Sequence, residues 1–143
     1  MTILVSACLL GCPCRYDGKS KPNDAVLALM EHHTLIPICP EQMGGLATPR
    51  VPAERKGGGV FTERGGDVTE QYRRGAEEAL RLAQLYGCKY AILKERSPSC
   101  GSGQIYDGSF SRRLIDGNGV TAQLLKAHGI KVLGESEVAG LWK

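Results

Sequence analysis

Six cysteines are the residues of this chain best suited to chemistry, and half of them lie close together. The segment SACLLGCPCRYDGKS contains Cys8, Cys12 and Cys14, and the others are Cys39, Cys88 and Cys100. Disulfides are not expected in a reducing cytosol, so clustered thiols predict metal binding or thiol chemistry. Soft thiolate ligands select zinc or iron–sulfur clusters over hard cations.

The spacing of these cysteines separates the two kinds of metal centre. There is no CxxC pair of the zinc-ribbon type, only a CxC at 12–14 and a five-residue gap between Cys8 and Cys14. A cluster is wider than one ion and accepts ligands from distant loops. Four thiolates, those of Cys8, Cys14, Cys39 and Cys100, are therefore candidates for one shared metal centre.

The remaining two cysteines have simpler interpretations. Cys12 stands between Gly11 and Pro13, which predicts a residue that shapes a turn. Cys88 follows Gly87 at the edge of an apolar run, as expected of a small buried apolar side chain.

The elements that must position these thiols alternate along the chain. Short β-rich runs predict four buried strands, at residues 2–7, 34–38, 90–93 and 130–133. Helices are predicted from a cap at Asn23 or Asp24 to about His32, from a cap at Thr69 to Gly87, and over 120–128, followed by a short turn over 136–142. Strands that alternate with helices indicate an α/β fold with a parallel sheet.

Three of the candidate ligands come after predicted strands. Cys8 follows the first strand, Cys39 follows the second, and Cys100 lies a few residues beyond the third. Ligands of open α/β sheets bind outside the carboxyl ends of the strands. These thiols are therefore expected to converge on one pocket.

Residues 44–66, GGLATPRVPAERKGGGVFTERGG, interrupt the alternation. Their length and their Gly and Pro content predict a functional loop, with the role of a lid. The alternative is a surface hairpin around residues 57–59.

Composition limits the classes of function. The chain has 143 residues and 42% hydrophobic content, which predicts a single domain over 1–143. A net charge of +3 spread over separate Lys and Arg residues suggests small anionic or nucleotide-like ligands. The chain has no basic stripe interleaved with aromatic residues, so an intact nucleic acid is not the expected ligand. No apolar run is long enough for a signal peptide or a membrane span, so a cytoplasmic protein is expected.

Three long blocks resemble those of a known family: SACLLGxxCRYDGKSK, CPEQMGGLxTPRxPAE and LKERSPSCGSGxIYDGxFS. They are similar to the signature blocks of the thiouracil desulfidase family, and the resemblance covers essentially the whole chain. It implies a Rossmann-like α/β fold, a three-layer sandwich around a mostly parallel sheet of about four strands. It also implies a [4Fe–4S] cluster held by three cysteines, for which Cys8, Cys14 and Cys100 are chosen here, with Cys39 in reserve.

The same resemblance implies the catalytic residues. They are a Glu in the CPE block, here Glu41, and a Ser in the SPSC block, here Ser97, with Ser99 as the competing assignment. The reaction expected is hydrolytic, non-redox removal of sulfur as hydrosulfide from a small thiolated base or nucleoside, with no flavin or nicotinamide. Glu41 takes a proton from the attacking water and Ser97 holds that water in line.

Several alternatives stay open at this point. Lys94, Arg50 or Asp17 could contact the base or ribose, or could form salt bridges within loops. A zinc-binding structural module would use Cys8, Cys12, Cys14 and Cys39. A thiol-based redox protein or sulfur carrier would depend on a cysteine of low pKa. The preferred thiolated substrate and the oligomeric state are open as well.

Overall fold

A four-stranded parallel sheet forms the centre of the protein in a computed structural model that describes residues 1–139. Its strands, numbered here in chain order among eight, are β1 (Thr2–Ser6), β2 (Thr34–Ile38), β5 (Tyr90–Leu93) and β8 (Lys131–Gly134). They are arranged β2-β1-β5-β8, and all three pairings are parallel. The predicted strands and their parallel arrangement are confirmed to within about a residue at each end. The first strand is one residue shorter than predicted, because Ala7 begins a 3-10 turn.

Both faces of the sheet are buried, which explains why its strands are continuous apolar runs. On one face Ile3, Val5 and Ile92 pack with α1 (Asp24–Ala28) and with the 3-10 turn Ala7–Leu10. On the other face Leu4 and Leu93 pack with α3 (Thr69–Leu85) and α4 (Val120–Ala127). The fold is therefore the three-layer α/β sandwich that the family resemblance implied.

The ends of the helices differ in part from the predictions. Asn23 caps α1 as expected, since its side chain accepts a hydrogen bond from Val26 N at 3.1 Å. The α-helix ends at Ala28, however, and a 3-10 turn, Leu29–Glu31, replaces the predicted extension to His32. A 3-10 turn over Glu135–Glu137 overlaps only the start of the C-terminal turn predicted over 136–142, and residues 140–142 lie outside the described residues.

The predicted cap of the long helix is wrong. Val68 is the N-cap and Thr69 is the first helical residue of α3. The hydroxyl of Thr69 is used across the fold, where it accepts a hydrogen bond from Val60 N at 2.9 Å. The local sequence favours Thr69 as a helix cap, but its hydroxyl is used in a contact with β4 instead.

The short helix α2 (Pro40–Met43) was not predicted from the sequence. Proline occupies its first turn, where a missing N–H costs nothing. A Cβ at Gly75 would lie 1.8 Å from the carbonyl oxygen of Pro40, and one at Gly44 would lie 1.9 Å from that of Gln71. Glycines therefore let the backbones of α2 and α3 touch, and this contact fixes where Glu41 lies.

Two antiparallel hairpins lie outside the central sheet. The first, β3 (Ala53–Lys56) with β4 (Gly59–Thr62), lies in the loop predicted over 44–66. The second, β6 (Gln104–Tyr106) with β7 (Leu114–Asp116), was not predicted. The first hairpin turns at Gly57 and Gly58, as the alternative interpretation expected, and residues of both hairpins also line the cavity described below.

Within residues 1–139, no helix has the length and apolarity required to cross a membrane.

Candidate active site

A cavity of about 660 Å³ opens at the carboxyl ends of β1, β2 and β5. The strand order β2-β1-β5-β8 changes direction between β1 and β5, because the chain first adds β2 on one side of β1 and then crosses to the other. Ligands of doubly wound sheets bind at this switch point. The cavity therefore lies where the topology of the fold favours a ligand site.

Four thiols line this cavity, and they are the four singled out from the sequence. Their residues are Cys8, Cys14, Cys39 and Cys100. Cys12 is exposed and is not part of the lining, while Cys88 is buried in the core between the sheet and α3. Side chains separated by more than 60 positions in sequence are thus brought to one place.

The local backbone explains the position of the first two thiols. The 3-10 turn that carries Cys8 ends at Gly11, which has a left-handed φ of 102°. The chain then reverses tightly, because Cys12 N donates to Ala7 O at 3.2 Å and Cys14 N donates to Cys12 O at 2.8 Å. Cys12 therefore shapes the turn that returns Cys14 to the cavity.

Cys39 and Cys100 are held by helix ends. Cys39 is the N-cap residue of α2, and its thiol donates a long hydrogen bond of 3.7 Å to the carbonyl oxygen of Cys14. Cys100 lies in a turn closed by a 2.8 Å hydrogen bond from Gly101 N to Ser97 O. The first N–H groups of α4 donate to the carbonyls of Pro98 and Ser99, which anchors this turn to the helix.

Crowding and burial raise the pKa values of three of these thiols, those of Cys14, Cys39 and Cys100. A hydrogen bond with Cys39 lowers the pKa of Cys14, but contact with Cys8 and burial outweigh it and raise the pKa to about 11. Burial, only partly offset by hydrogen bonds from Ser6 and Ser99, raises the pKa of Cys100 to about 12. The hydrogen bond with Cys14 and burial also raise the pKa of Cys39. A cationic metal core would stabilise the thiolate forms, which burial and the neighbouring thiols disfavour.

The donor set fits a multi-iron cluster better than one ion. Among residues 1–139, no group of three or more His, Cys, Asp and Glu side chains is arranged around a single metal ion. A tetrahedral zinc site needs its thiolates about 2.3 Å from one point. Four thiols that come from separate turns and line one cavity are donors of the kind that hold an iron–sulfur cluster. The geometry therefore does not favour the zinc module considered from the sequence.

Glu41 lies in the same cavity, paired with Arg50. Nε and Nη2 of Arg50 lie 2.9 Å and 2.7 Å from the same carboxylate oxygen, Oε2. Side-chain exposure is 9% for Arg50 and 15% for Glu41, so water screens this pair weakly. Burial and the charge of Glu41 also raise the pKa of Tyr72, which lines the cavity.

Arg50 also connects Glu41 to the thiols. Its Nη2 donates to the carbonyl oxygen of Cys14 at 2.9 Å. Its Nη1 donates to Ala47 O at 3.1 Å and to Thr48 Oγ1 at 2.9 Å. One guanidinium therefore joins the loop after α2, the turn that carries Cys14 and the carboxylate of Glu41.

The two candidate serines lie in different surroundings. Ser97 lines the cavity, and its Oγ accepts hydrogen bonds of 3.1 Å from the backbone N–H groups of Ser99 and Cys100. Its hydroxyl proton remains available for donation. Ser99 is fully buried, is absent from the cavity lining and shares a 2.8 Å hydrogen bond with Thr121 Oγ1. Ser97 is thus the serine that can meet a ligand.

The other polar residues singled out from the sequence form ion pairs. Arg50 binds Glu41 as described, and Lys94 Nζ lies 2.9 Å from Glu135 Oε2. Asp17 lies 3.8 Å from Arg15 and is not part of the cavity lining. All three residues thus form the salt bridges considered from the sequence, and Arg50 and Lys94 also line the cavity.

Three strained residues at the cavity were missed by the sequence analysis. Arg96, Phe110 and Arg112 have positive φ angles of 68°, 58° and 61°, and all three line the cavity. Such backbone costs of order 1–3 kcal/mol and persists only where surrounding contacts enforce it. No residue preference in the sequence predicts these positive φ angles, although Phe110 lies in one of the three blocks that carry the family resemblance. Ser6 and Tyr72 also line the site, and both read as ordinary strand and helix residues.

Comparison with known proteins gives three findings. The family model described as 2-thiouracil desulfurase matches residues 3–137. The YbbK protein of Bacillus subtilis strain 168, described as uncharacterized, is 44% identical over 146 residues, covering 95% of this chain and 97% of that protein. A solved structure of the [4Fe–4S]-dependent thiouracil desulfidase TudS is 51% identical, with a TM-score of 0.90, and the match covers 95% of this chain and 91% of that one.

Proposed function

Because the chain belongs to the 2-thiouracil desulfurase family, we propose that it is a [4Fe–4S]-dependent enzyme that removes sulfur from thiouracil or a related thiolated pyrimidine. The observation that carries this proposal is the meeting of four thiols with Glu41 in one cavity at the switch point of the sheet. Neither the zinc module nor the thiol-redox protein needs Glu41 beside the thiols.

Cys8, Cys14 and Cys100 are the proposed cluster ligands. All three are buried, with exposures of 7%, 6% and 5%, and each lies in a turn fixed by backbone hydrogen bonds. Cys39 is more exposed and is bound to the carbonyl of Cys14, which supports its place outside the ligand set. A cluster held by these three residues would supply a Lewis-acidic iron with a coordination site open to the sulfur of the substrate.

Glu41 is the proposed general base. Both contacts from Arg50 use Oε2, so Arg50 orients the carboxylate and leaves Oε1 without a bond from the guanidinium. From this position Oε1 accepts the proton of a water that attacks the carbon bearing sulfur. Ser97 donates its hydroxyl proton to this water or to the substrate and thereby holds them in line.

The reaction requires no net electron transfer, so no redox partner is implied. The C–S bond breaks, a C–O bond to water forms, and sulfur leaves as hydrosulfide. All six cysteines are free in the structure, in keeping with the reducing cytosol proposed as the compartment. The proposed substrate is a small thiolated base or nucleoside handled by a single domain over 1–143.

The roles of Glu41 and Ser97 are tested together in anaerobically reconstituted protein. Glu41→Ala and Ser97→Ala should each retain the iron and acid-labile sulfide of the wild type and lower sulfide release from 2- and 4-thiouracil by roughly 10²-fold or more. Ser99→Ala should lower the melting temperature, because Thr121 loses its buried partner, and leave turnover within a factor of a few.

Glu78 is an exposed carboxylate on the solvent side of α3 and provides the control. Glu78→Ala should change neither the cluster content nor the rate of sulfide release. Wild-type turnover in a Glu41→Ala protein that retains its cluster would remove Glu41 from the mechanism. Reconstituted wild-type protein that holds iron but releases no sulfide from any thiolated base or nucleoside would refute the proposed activity itself.

A further inference from the structure

The two hairpins beside the cavity are joined through one carboxylate. Glu54, on β3, accepts hydrogen bonds on its Oε1 from the backbone N–H groups of Gly108 and Phe110, at 3.0 Å and 3.1 Å. These partners lie in the loop between β6 and β7, more than 50 positions away in sequence. Bonds from N–H groups to a carboxylate are among the strong ones in proteins. Glu54 therefore fixes the shape of this loop from outside it.

The loop adopts a conformation that its own sequence does not favour. Phe110 has a φ of 58°, in the left-handed region that bulky residues avoid. Gly108 has a φ of 94°, and a Cβ there would lie 2.7 Å from Cβ of Lys56. Close packing on β3 and the two bonds to Glu54 hold this strained backbone from outside the loop, and hydrogen bonds from Ser109 to Asp107 hold it from within.

The result of this arrangement is an apolar ring in a charged cavity. Phe110 lines the cavity, whereas the other phenylalanine, Phe61, packs in the first hairpin beside Gly59. The lining also contains Tyr16, Tyr72 and Tyr106, and the guanidinium of Arg15 lies over one face of the Tyr16 ring, 5.8 Å from its centre. Phe110 is thus the one aromatic residue of this lining that carries no hydroxyl group, so its side chain is the fully apolar one among them.

We propose that the ring of Phe110 is the surface on which the heterocycle of the substrate stacks, and that Glu54 is the positioning residue that presents it. This inference rests on the proposed function, because it assigns part of the substrate site. A planar heteroaromatic ring stacks on an aromatic side chain through its π face whatever its substituents. The same subsite therefore accepts both a free thiolated base and a nucleoside.

Glu54 lines the cavity, but it acts on the loop and not on the reacting atoms. Its contacts are to backbone N–H groups of the loop, and neither Glu41 nor Ser97 is among its hydrogen-bond partners. Loss of Glu54 should therefore weaken substrate binding, raise KM and leave kcat nearly unchanged, because stacking holds substrate and transition state equally.

The test compares Phe110→Leu, Phe110→Tyr, Glu54→Ala, Glu54→Gln and the double variant Glu54→Ala/Phe110→Leu in the reconstituted enzyme, with Glu78→Ala as control. Phe110→Leu should raise KM for 2-thiouracil roughly 5- to 150-fold, the range that corresponds to ~1–3 kcal/mol per stacked base. Phe110→Tyr keeps the ring and should bind like the wild type. Glu54→Ala should raise KM by a similar factor. Glu54→Gln keeps an acceptor oxygen, so its KM should stay close to the wild-type value.

Two readouts distinguish positioning from general destabilisation. Amide exchange over residues 107–112 should accelerate in Glu54→Ala and stay slow in Glu54→Gln. In the Phe110→Leu background, Glu54→Ala should have little further effect on KM, because the ring that it presents is already gone. Independent, multiplicative effects of the two changes would overturn the proposal, as would a KM unchanged by Phe110→Leu.

The outcome is separable from that of the proposed function. If the wild type turns over no thiolated base, KM is replaced by the dissociation constant of 2-thiouracil from equilibrium dialysis with the same proteins. Binding that falls in Phe110→Leu and Glu54→Ala then supports the subsite while the proposed activity fails. Binding that is indifferent to both variants overturns the subsite, whether or not the enzyme is active.

Discussion

Single charged residues do more at this site than the sequence suggested. Arg50 was considered as a residue that touches the base, yet its guanidinium holds Glu41, Cys14, Ala47 and Thr48 together. The planar fork of arginine makes several fixed bonds at once, which a lysine ammonium cannot reproduce. At the residue scale, the site is therefore organised by a buried hub as well as by its reactive groups.

This role of Arg50 predicts a difference between two conservative changes. Arg50→Lys keeps the charge but loses the fork, so Glu41 is held at the wrong angle and kcat should fall roughly 10²-fold. Arg50→Gln leaves Glu41 partly buried without a counter-charge and should in addition lower the melting temperature. Arg73→Gln, which breaks only exposed pairs with Glu70 and Glu77 on α3, is the matched control and should leave both unchanged.

Steady-state kinetics and thermal unfolding of the three proteins give the answer. Full activity in Arg50→Lys would show that the positive charge suffices and that the geometry of the fork is unimportant.

The four thiols at the cavity predict a further difference at this scale. If Cys8, Cys14 and Cys100 hold the cluster, then Cys100→Ser should lose most of its iron after anaerobic reconstitution. Cys39→Ser should retain wild-type iron and acid-labile sulfide, because a serine at this position can keep the hydrogen bond to the carbonyl oxygen of Cys14. Cys88→Ser, outside the cavity, controls for the general effect of removing a buried thiol.

The measurement is iron and sulfide content per chain together with the visible absorption of the cluster. Loss of iron in Cys39→Ser together with its retention in Cys100→Ser would place Cys39 in the ligand set instead of Cys100.

At the scale of elements, the position of Glu41 depends on how closely α2 lies on α3. The proline at the start of α2 and the glycine at position 75 let two backbones touch. A similar close approach occurs at Gly119, where a Cβ would lie 2.4 Å from the carbonyl carbon of Ser99. The segments that carry Glu41 and Cys100 thus each pack against a helix through a glycine. Small backbone shifts at these contacts would therefore move the side chains that line the cavity.

Gly75→Ala tests this dependence. Its Cβ would overlap the carbonyl oxygen of Pro40, so α2 must move away from α3. Overpacking of this kind costs about 1–3 kcal/mol in unfolding free energy, and the displaced Glu41 should lower kcat by at least ~10-fold. Gly58→Ala is the matched control, since nothing lies within 4 Å of a Cβ there and no positive φ applies.

Urea unfolding and sulfide release are measured for both variants. Equal stability of Gly75→Ala and Gly58→Ala would contradict the close packing of the two helices.

At the scale of the whole molecule, stability is coupled to pH through buried neutral groups. Burial raises the pKa of Cys88 above its ordinary value of 9.0, and burial next to Glu41 raises that of Tyr72 above 10.0. A group whose folded pKa is raised contributes its full stability below the unfolded pKa and loses it as pH rises toward the folded pKa. The pKa values of Cys14 and Cys100 are raised as well, so these groups act in the same direction.

We therefore expect the metal-free protein to lose stability above about pH 9, by up to ~1.4 kcal/mol per pH unit for each fully titrating group. Urea unfolding between pH 7.5 and 10.5 measures this slope. Cys88→Ala should make the loss of stability between pH 9 and 10.5 shallower, because the unfolded chain then has one thiol fewer to deprotonate. A stability that is constant or rising over this range would contradict the assignment of neutral buried thiols.

The overall architecture was predictable because it depends on local patterns. Runs such as residues 90–93 are apolar on both faces, which identifies strands of a covered parallel sheet, and the turns after them predicted where Cys8, Cys39 and Cys100 would meet. The second hairpin was not predictable in this way. Its strands have three residues each, and its loop takes its shape from Glu54 on another hairpin.

Sequence by itself determined the fold class, the meeting of distant cysteines and the family, since each of these follows from patterns carried by consecutive residues. Tertiary structure decided which groups are partners: Arg50 with Glu41, Ser97 at the cavity and Ser99 beneath it, and Phe110 held by Glu54. The physical reason is that a hydrogen bond or an ion pair forms between groups a few ångströms apart in space. Residues separated by tens of positions reach that distance only after the sheet and its two layers of helices have packed.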